Sequence, residues 1–214
     1  MSDTWARRAP WTGIAAALCA LAAVIIGGET PDFDASTADI VSHYEDGAAT
    51  GIAAAFIALT ALFFVFFASA LRTRLREAES ASTLTLVGGS IFAIGLALFA
   101  GLEFTLTDLV NSDNQVDPGA LQAINALDSD LFFPAVLGLA VFYFSTAFAM
   151  LSTTAFPRWW AWVTLVIAIL SVLGPLGFLA FLLTLPWSIV TAILLMRSPD
   201  SGRPADRAAP GEAP

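Results

Sequence analysis

Apolar residues in this chain come in long unbroken runs, each near the 20 residues a helix needs to cross a bilayer. Six such runs stand out: 11–28, 48–71, 84–106, 131–151, 159–174 and 178–196. They predict helices, because in hydrocarbon only helices and closed barrels satisfy every backbone N–H and C=O. The runs also lack the period-two alternation of barrel strands. The expected fold is therefore all-α: a polytopic bundle of six transmembrane helices over residues 1–196. Residues 197–214 are rich in Pro, Gly, Ala and charge and predict a disordered cytoplasmic tail. The segment Gly174-Pro175-Leu176-Gly177 is read as the turn between the last two helices, with Pro186 tolerated inside the sixth. A turn at Pro186 would leave only about ten apolar residues after it, too few to span.

The polar stretches between the runs predict two short outer amphipathic helices. In the first, Ser36 is placed as N-cap with Asp39 three residues on, and Ile40, Val41 and Tyr44 share a face. In the second, Asp117 and Pro118 read as N-cap and first helical residue, followed by Leu121, Ile124, Leu127 and Asp128. Both are expected to lie flat on the outer ends of the bundle, either as a lid over a cavity or as loops burying their apolar surface.

Composition sharpens the class. Of 214 residues, 57% are hydrophobic and 13% charged, against about a quarter charged in soluble domains. The formal net charge of −9 argues against nucleic acid as a partner. The chain has no lysine, and all nine basic residues are arginines: Arg7, Arg8, Arg72, Arg74, Arg76, Arg158, Arg197, Arg203 and Arg207. With six spans all nine fall on one side, and the positive-inside rule makes that side cytoplasmic, with both termini inside. The opposite side gathers eleven acids in residues 29–47 and 108–130, with no arginine. Trp5, Trp11, Trp159, Trp160 and Trp162 map to the inner boundary as headgroup anchors, and Trp187 lies within a span. Arg7 and Arg8 before an apolar run resemble a signal peptide, but no A-x-A site closes the run, so the first helix is expected to stay uncleaved.

Candidate chemistry is sparse. Glu103 is the one acid inside a predicted span, a functional position by default; near the outer end, it could equally reach water by snorkelling. His43 is the only histidine, with Asp39 and Asp46 at helical spacing, which makes a weak divalent-cation set. The candidate polar site is thus Glu103, His43, Asp39 and Asp46. No catalytic constellation, cofactor fingerprint or specific metal-ligand set is expected, and the single Cys19 offers no disulfide within one chain. Small residues Gly89, Ala93, Ala97 and Gly101 recur every four positions in the third helix, and Ala54, Ala58, Ala61 and Ala68 line the second. Such stripes serve either packing within one chain or a homo-oligomer seam.

Several segments carry a resemblance. A Gly-Gly-x-x-Pro-Asp follows the first helix, "LRTRLREAE" closes the second, "AINALDSDLFFPAVLGLAVF" enters the fourth, "FPRWWAW" enters the fifth and "GPLGF" separates the last two. Together they resemble small bacterial integral membrane proteins of the DUF4386-type six-helix group, over about residues 10–197. "FPRWWAW" departs from the Leu-Pro-Arg-Trp-Leu-Gly form of that group. The resemblance implies a multi-pass protein of the bacterial cytoplasmic membrane and brings no reaction, cofactor or site residue. The expected role is non-enzymatic interaction or sensing at the acidic outer face. The alternative is a small transporter or channel component with a cavity near Glu103. The expected surroundings are the lipid bilayer, and no protein partner is specified.

Overall fold

The computed structural model describes residues 8–112, 116–173 and 176–197. Among them are seven helices and no strand: α1 (Trp11–Gly27), α2 (Thr37–Tyr44), α3 (Gly47–Arg74), α4 (Glu79–Val110), α5 (Pro118–Ser152), α6 (Arg158–Ser171) and α7 (Gly177–Arg197). Four of them, α3, α4, α5 and α7, are long and apolar enough to cross a membrane, and α1 and α6 are shorter apolar helices. The chain is a multi-pass helical membrane protein. Gly174, Pro175 and the tail from Ser198, with Trp5, Arg7, Arg203, Arg207 and Asp113, lie outside the described residues. Pro186 falls inside α7, as expected.

Local signals set the helix starts. Ser36 Oγ accepts from the Asp39 amide at 3.2 Å and donates to the Asp39 carboxylate at 2.7 Å, which ties up an orphan donor at the start of α2. Asp46 accepts from the Ala49 amide at 3.2 Å and opens α3. Asp117 accepts from the Ala120 amide at 3.0 Å, with Pro118 in the first turn of α5.

The second outer helix is not a separate element. It is the first part of the 35-residue α5, which runs on through Pro134. Nothing between Gly119 and Phe133 breaks a helix: Asp128-Ser129-Asp130 is polar but compatible with one. At about 1.5 Å per residue α5 is roughly 52 Å long, well beyond a hydrocarbon core of about 30 Å.

The long helices pack antiparallel in chain order. Gly13 near the start of α1 faces Phe67 near the end of α3, and Gly27 at the end of α1 faces Ala53. The tightest seam joins α4 to α5. A methyl group on Gly88 would fall on the Phe142 backbone nitrogen, and one on Gly138 on the Phe92 backbone nitrogen; one on Gly95 would lie 2.7 Å from Ala135 Cα. This is the close backbone approach that lets helices associate where lipid removes the hydrophobic incentive. In the anticipated small-residue stripe, Gly89 packs on Ala68 and Ala93 is buried, while Ala97 and Gly101 are exposed. Half of the stripe therefore works inside one chain.

The core is aromatic. Phe64 meets Phe92 at 4.7 Å and Phe142 at 5.0 Å, and Tyr143 meets Trp187 at 4.9 Å. Trp187, α6 and α7 share a hydrogen-bonded seam: Trp187 Nε1 donates to Thr164 and Trp160 Nε1 donates to Thr191, each at 2.9 Å, with the two indoles stacked. Trp160 is thus an interior residue and not the headgroup anchor anticipated for it. Its neighbours Trp159 and Trp162 are more than half exposed.

Candidate functional site

At the outer end of the bundle α2 folds down onto α4 and α5. Ile40 and Tyr44, four residues apart on one helical face, are fully buried against Leu106 and Leu121, with Leu109, Val110 and Ile124 around them. Val41, expected on the same face, is 40% exposed. Two side-chain amides pin the segment from below. Asn111 Nδ2 donates to the Tyr44 carbonyl and to the Thr107 carbonyl, each at 2.8 Å. Asn125 Nδ2 donates to the Asp32 carbonyl at 2.8 Å. These bonds fix both ends of the α2 segment to the bundle.

Beneath this lid lie two carboxyl groups. Glu103 on α4 is 5% exposed and Asp128 on α5 is 4% exposed. Snorkelling to water, the alternative for Glu103, does not occur. Glu103 faces inward with Leu96, Ala100 and Leu106, all buried. The two carboxyls are near enough to feel each other's charge. The Tyr44 ring descends from α2 toward both. Its phenol is raised above its usual range, first by burial, then by the charges of Glu103 and Asp128. Tyr44 Oη and the Glu103 carboxyl interact as a loose hydrogen-bonding pair, and none of Tyr44 Oη, Glu103 Oε1 and Asp128 Oδ1, all buried, makes a well-formed hydrogen bond. Three such atoms in one place are unusual, since buried polar groups are nearly always satisfied. Alongside, Thr107 Oγ1 bridges Thr50 at 3.0 Å and donates to the Glu103 carbonyl at 2.8 Å, which joins α3 to α4 at the same level.

Among the described residues no guanidinium is within reach. Arg72 and Arg74 lie in the last turn of α3, roughly 40 Å along the helix from its outer end. Arg8, Arg158 and Arg197 likewise sit at the opposite ends of their helices.

The remaining anticipated site residues have other work. Asp39 and Asp46 are exposed and cap α2 and α3. His43 is half-buried, its ring edge-on to Tyr44 at 4.7 Å, and burial lowers its pKa from 6.5. These three do not join Glu103, and among the described residues no group of three or more His, Cys, Asp or Glu side chains is placed to hold a metal ion. Sequence reasoning missed Asn125 and Tyr44 as site residues and placed Asp128 in an apolar stripe. The signal was there: Leu121, Asn125 and Asp128 are spaced by four and three, and all are buried. Leu127, assigned to that stripe, is 51% exposed.

A separate recess with about 10 Å³ of free volume, little more than one water molecule, lies between α1, α3, α4 and α7, with Ala16, Ala20, Phe64, Phe92 and Phe181 on its walls and Thr60, Thr184 and Ser188 among them. Glu103 is not among its lining residues. No protein-family model, curated protein or solved structure matches the chain.

Proposed function

We propose that this chain is a non-enzymatic sensor of the bacterial cytoplasmic membrane, with six spans, both termini inside, and α2 as the responsive element on the outer face. The reading rests on one observation: the α2 segment is seated by apolar contact and two side-chain amides over Glu103 and Asp128, two buried acids that each keep one carboxyl oxygen without a hydrogen-bond partner. A lid held by a small apolar patch over a buried acidic cluster is poised between docked and released states, so a change in the cluster's charge changes the lid.

Six spans draw support from the antiparallel order of the four long and two shorter apolar helices and from the described arginines at one end of them. At 17 residues α1 extends about 26 Å, close to the core thickness. At 14 residues α6 extends about 21 Å, and its flanking Trp159 and Trp162 suit a locally thinned bilayer. The resemblance to the DUF4386-type group rests on the quoted segments alone.

The test is amide hydrogen exchange on the detergent-solubilised full-length chain. Glu103→Gln and Asp128→Asn are expected to change exchange over Thr37–Tyr44 at least threefold while leaving α3 unaltered. Equal α2 exchange in wild type and both variants contradicts the reading.

A small transporter or channel component is the second reading, and the hydroxyl-lined recess favours it. Its free volume of about 10 Å³ is far below the about 300–1,000 Å³ usual for ligand pockets, which ranks it second.

A further inference from the structure

We propose that the arginine end of the bundle binds the phosphate headgroup of an anionic phospholipid, through Arg8, Arg72 and Arg197. The site lies at the opposite end from α2 and is independent of the sensor reading.

Helix register brings the three together. α1 and α3 run antiparallel: Gly27 faces Ala53 and, fourteen residues away along each helix, Gly13 faces Phe67. Five residues beyond that contact stand Arg8, just before α1, and Arg72, in the last turn of α3. The backbone between Arg8 and α1 keeps the register. Ala9 is buried, Pro10 is helical, and their carbonyls accept from the Thr12 and Gly13 amides at 3.1 Å. α7 joins at the same depth, since Ala16, Phe64 and Ser188 line one recess and the Phe67 ring meets that of Trp187 at 6.1 Å. Arg8 is eight residues from Ala16, Arg72 eight from Phe64 and Arg197 nine from Ser188, so at about 1.5 Å per residue the three positions agree in depth to about 2 Å. Packed helix axes lie about 8–10 Å apart, a spacing that long, flexible arginine side chains can bridge.

All three arginines are exposed, and among the described residues none is in an ion pair. The acids of this end, Glu77 and Glu79, belong to the connection into α4 and its first residue. Arg72 and Arg197 sit in the last turns of their helices, where the dipole favours a cation. Arg8 does not: it stands at the start of α1, where the dipole disfavours one, and α1 has no acid in its first turn. A bound anion accounts for Arg8 and relieves the repulsion among the three. Phosphate suits them, because its oxygens accept guanidinium forks in bidentate fashion.

The surroundings select a lipid over a soluble phosphate. Trp11, one turn from Arg8, is 58% exposed, and Leu18 and Leu21 continue the exposed surface of α1. An indole beside the headgroup and an apolar helix face for the acyl chains complete the match.

The experiment measures thermal stability of the full-length chain in mixed micelles of detergent with phosphatidylglycerol, or with zwitterionic phosphatidylcholine at equal mole fraction. Phosphatidylglycerol is expected to raise Tm by at least about 4 °C over phosphatidylcholine. Arg8→Gln, Arg72→Gln and Arg197→Gln, each confirmed folded by its own transition in phosphatidylcholine, are expected to lose at least about half of the rise. Arg158→Gln is the control and should keep it: Arg158 is equally exposed but begins α6, which contributes nothing to the shared recess. Native mass spectrometry gives a second readout, with retained phosphatidylglycerol falling at least about threefold in the triple variant. Equal Tm in the two lipids overturns the inference. So does an equal loss in Arg158→Gln and the site variants, which would mean diffuse surface charge. A rise of the same size from inorganic phosphate in phosphatidylcholine micelles overturns it in favour of a soluble anion.

Discussion

Asn111, one residue past the end of α4, holds the carbonyl of Tyr44 at 2.8 Å and so fastens the end of α2 that carries the buried phenol. The same amide also donates to Thr107, whose hydroxyl bridges to Thr50 on α3. One side chain thus ties the lid to two helices. Asn111→Ala removes both bonds and is expected to destabilise the chain by about 1–2 kcal/mol, with faster exchange confined to residues 37–44. Exchange mass spectrometry checks this; acceleration spread evenly over all helices would contradict it.

The seam between α4 and α5 leaves no room for a methyl group. Gly138→Ala places Cβ on the backbone of Ile91 and Phe92, and overpacking of this kind costs about 1–3 kcal/mol. Gly101 has open space around it, so Gly101→Ala should be neutral or stabilising by up to about 1 kcal/mol, because alanine is the better helix former. Thermal denaturation of the pair in one detergent reads the contrast. Equal losses at both positions would show that the α4–α5 approach is not this close.

On the other side of the bundle, Thr164 accepts the indole N–H of Trp187 and itself donates to the Trp160 carbonyl. Thr164→Val leaves the buried indole unpaired and is expected to cost about 1–3 kcal/mol. Because the two residues share one bond, adding Trp187→Phe should cost less in this background than in wild type, by at least about 0.5 kcal/mol. Additive losses would exclude coupling.

His43 predicts a pH dependence. Burial lowers its pKa in the folded chain below 6.5, so as pH falls through 6.5 the unfolded chain takes up the proton first. Stability therefore declines below that point until the folded-state pKa is passed, and is unaffected by this group above it. In His43→Gln the contribution vanishes and the stability profile between pH 7 and 5 should be flatter. An unchanged profile would mean that His43 titrates as it does in water.

Much of this architecture was legible in the chain because membrane helices announce themselves by run length. The boundaries of α1, α3, α6 and α7 fall within a few residues of their apolar runs. The extent of α5 was not legible, since Asp128 and Asp130 look like the polar edge of a span, and only the absence of a breaker from Gly119 to Phe133 hints that the helix continues. Glu103 was visible as the sole acid in a span, but its burial depends on α2 folding back over it, a tertiary event with no local signature. Trp160 shows the same limit. Beside two exposed tryptophans it reads as an interfacial anchor, and only the facing Thr191 and Trp187 turn it inward. Asn125 and Asp128 were hidden for a physical reason: polar residues are assigned to the wet face of an outer helix unless a second element covers them.

Glu103 is buried at the end of the bundle that α2 covers, the end proposed to face outward. Thiol labelling in intact cells tests this most directly, in a Cys19→Ala background with a membrane-impermeant reagent. Ser42→Cys, on the exposed side of α2, should label from outside. Glu103→Cys should stay unlabelled, and become labelled once Tyr44→Ala removes the anchor of the lid. Prompt labelling of Glu103→Cys with Tyr44 intact, or a Ser42→Cys protein that reacts only after the cells are permeabilised, would contradict it.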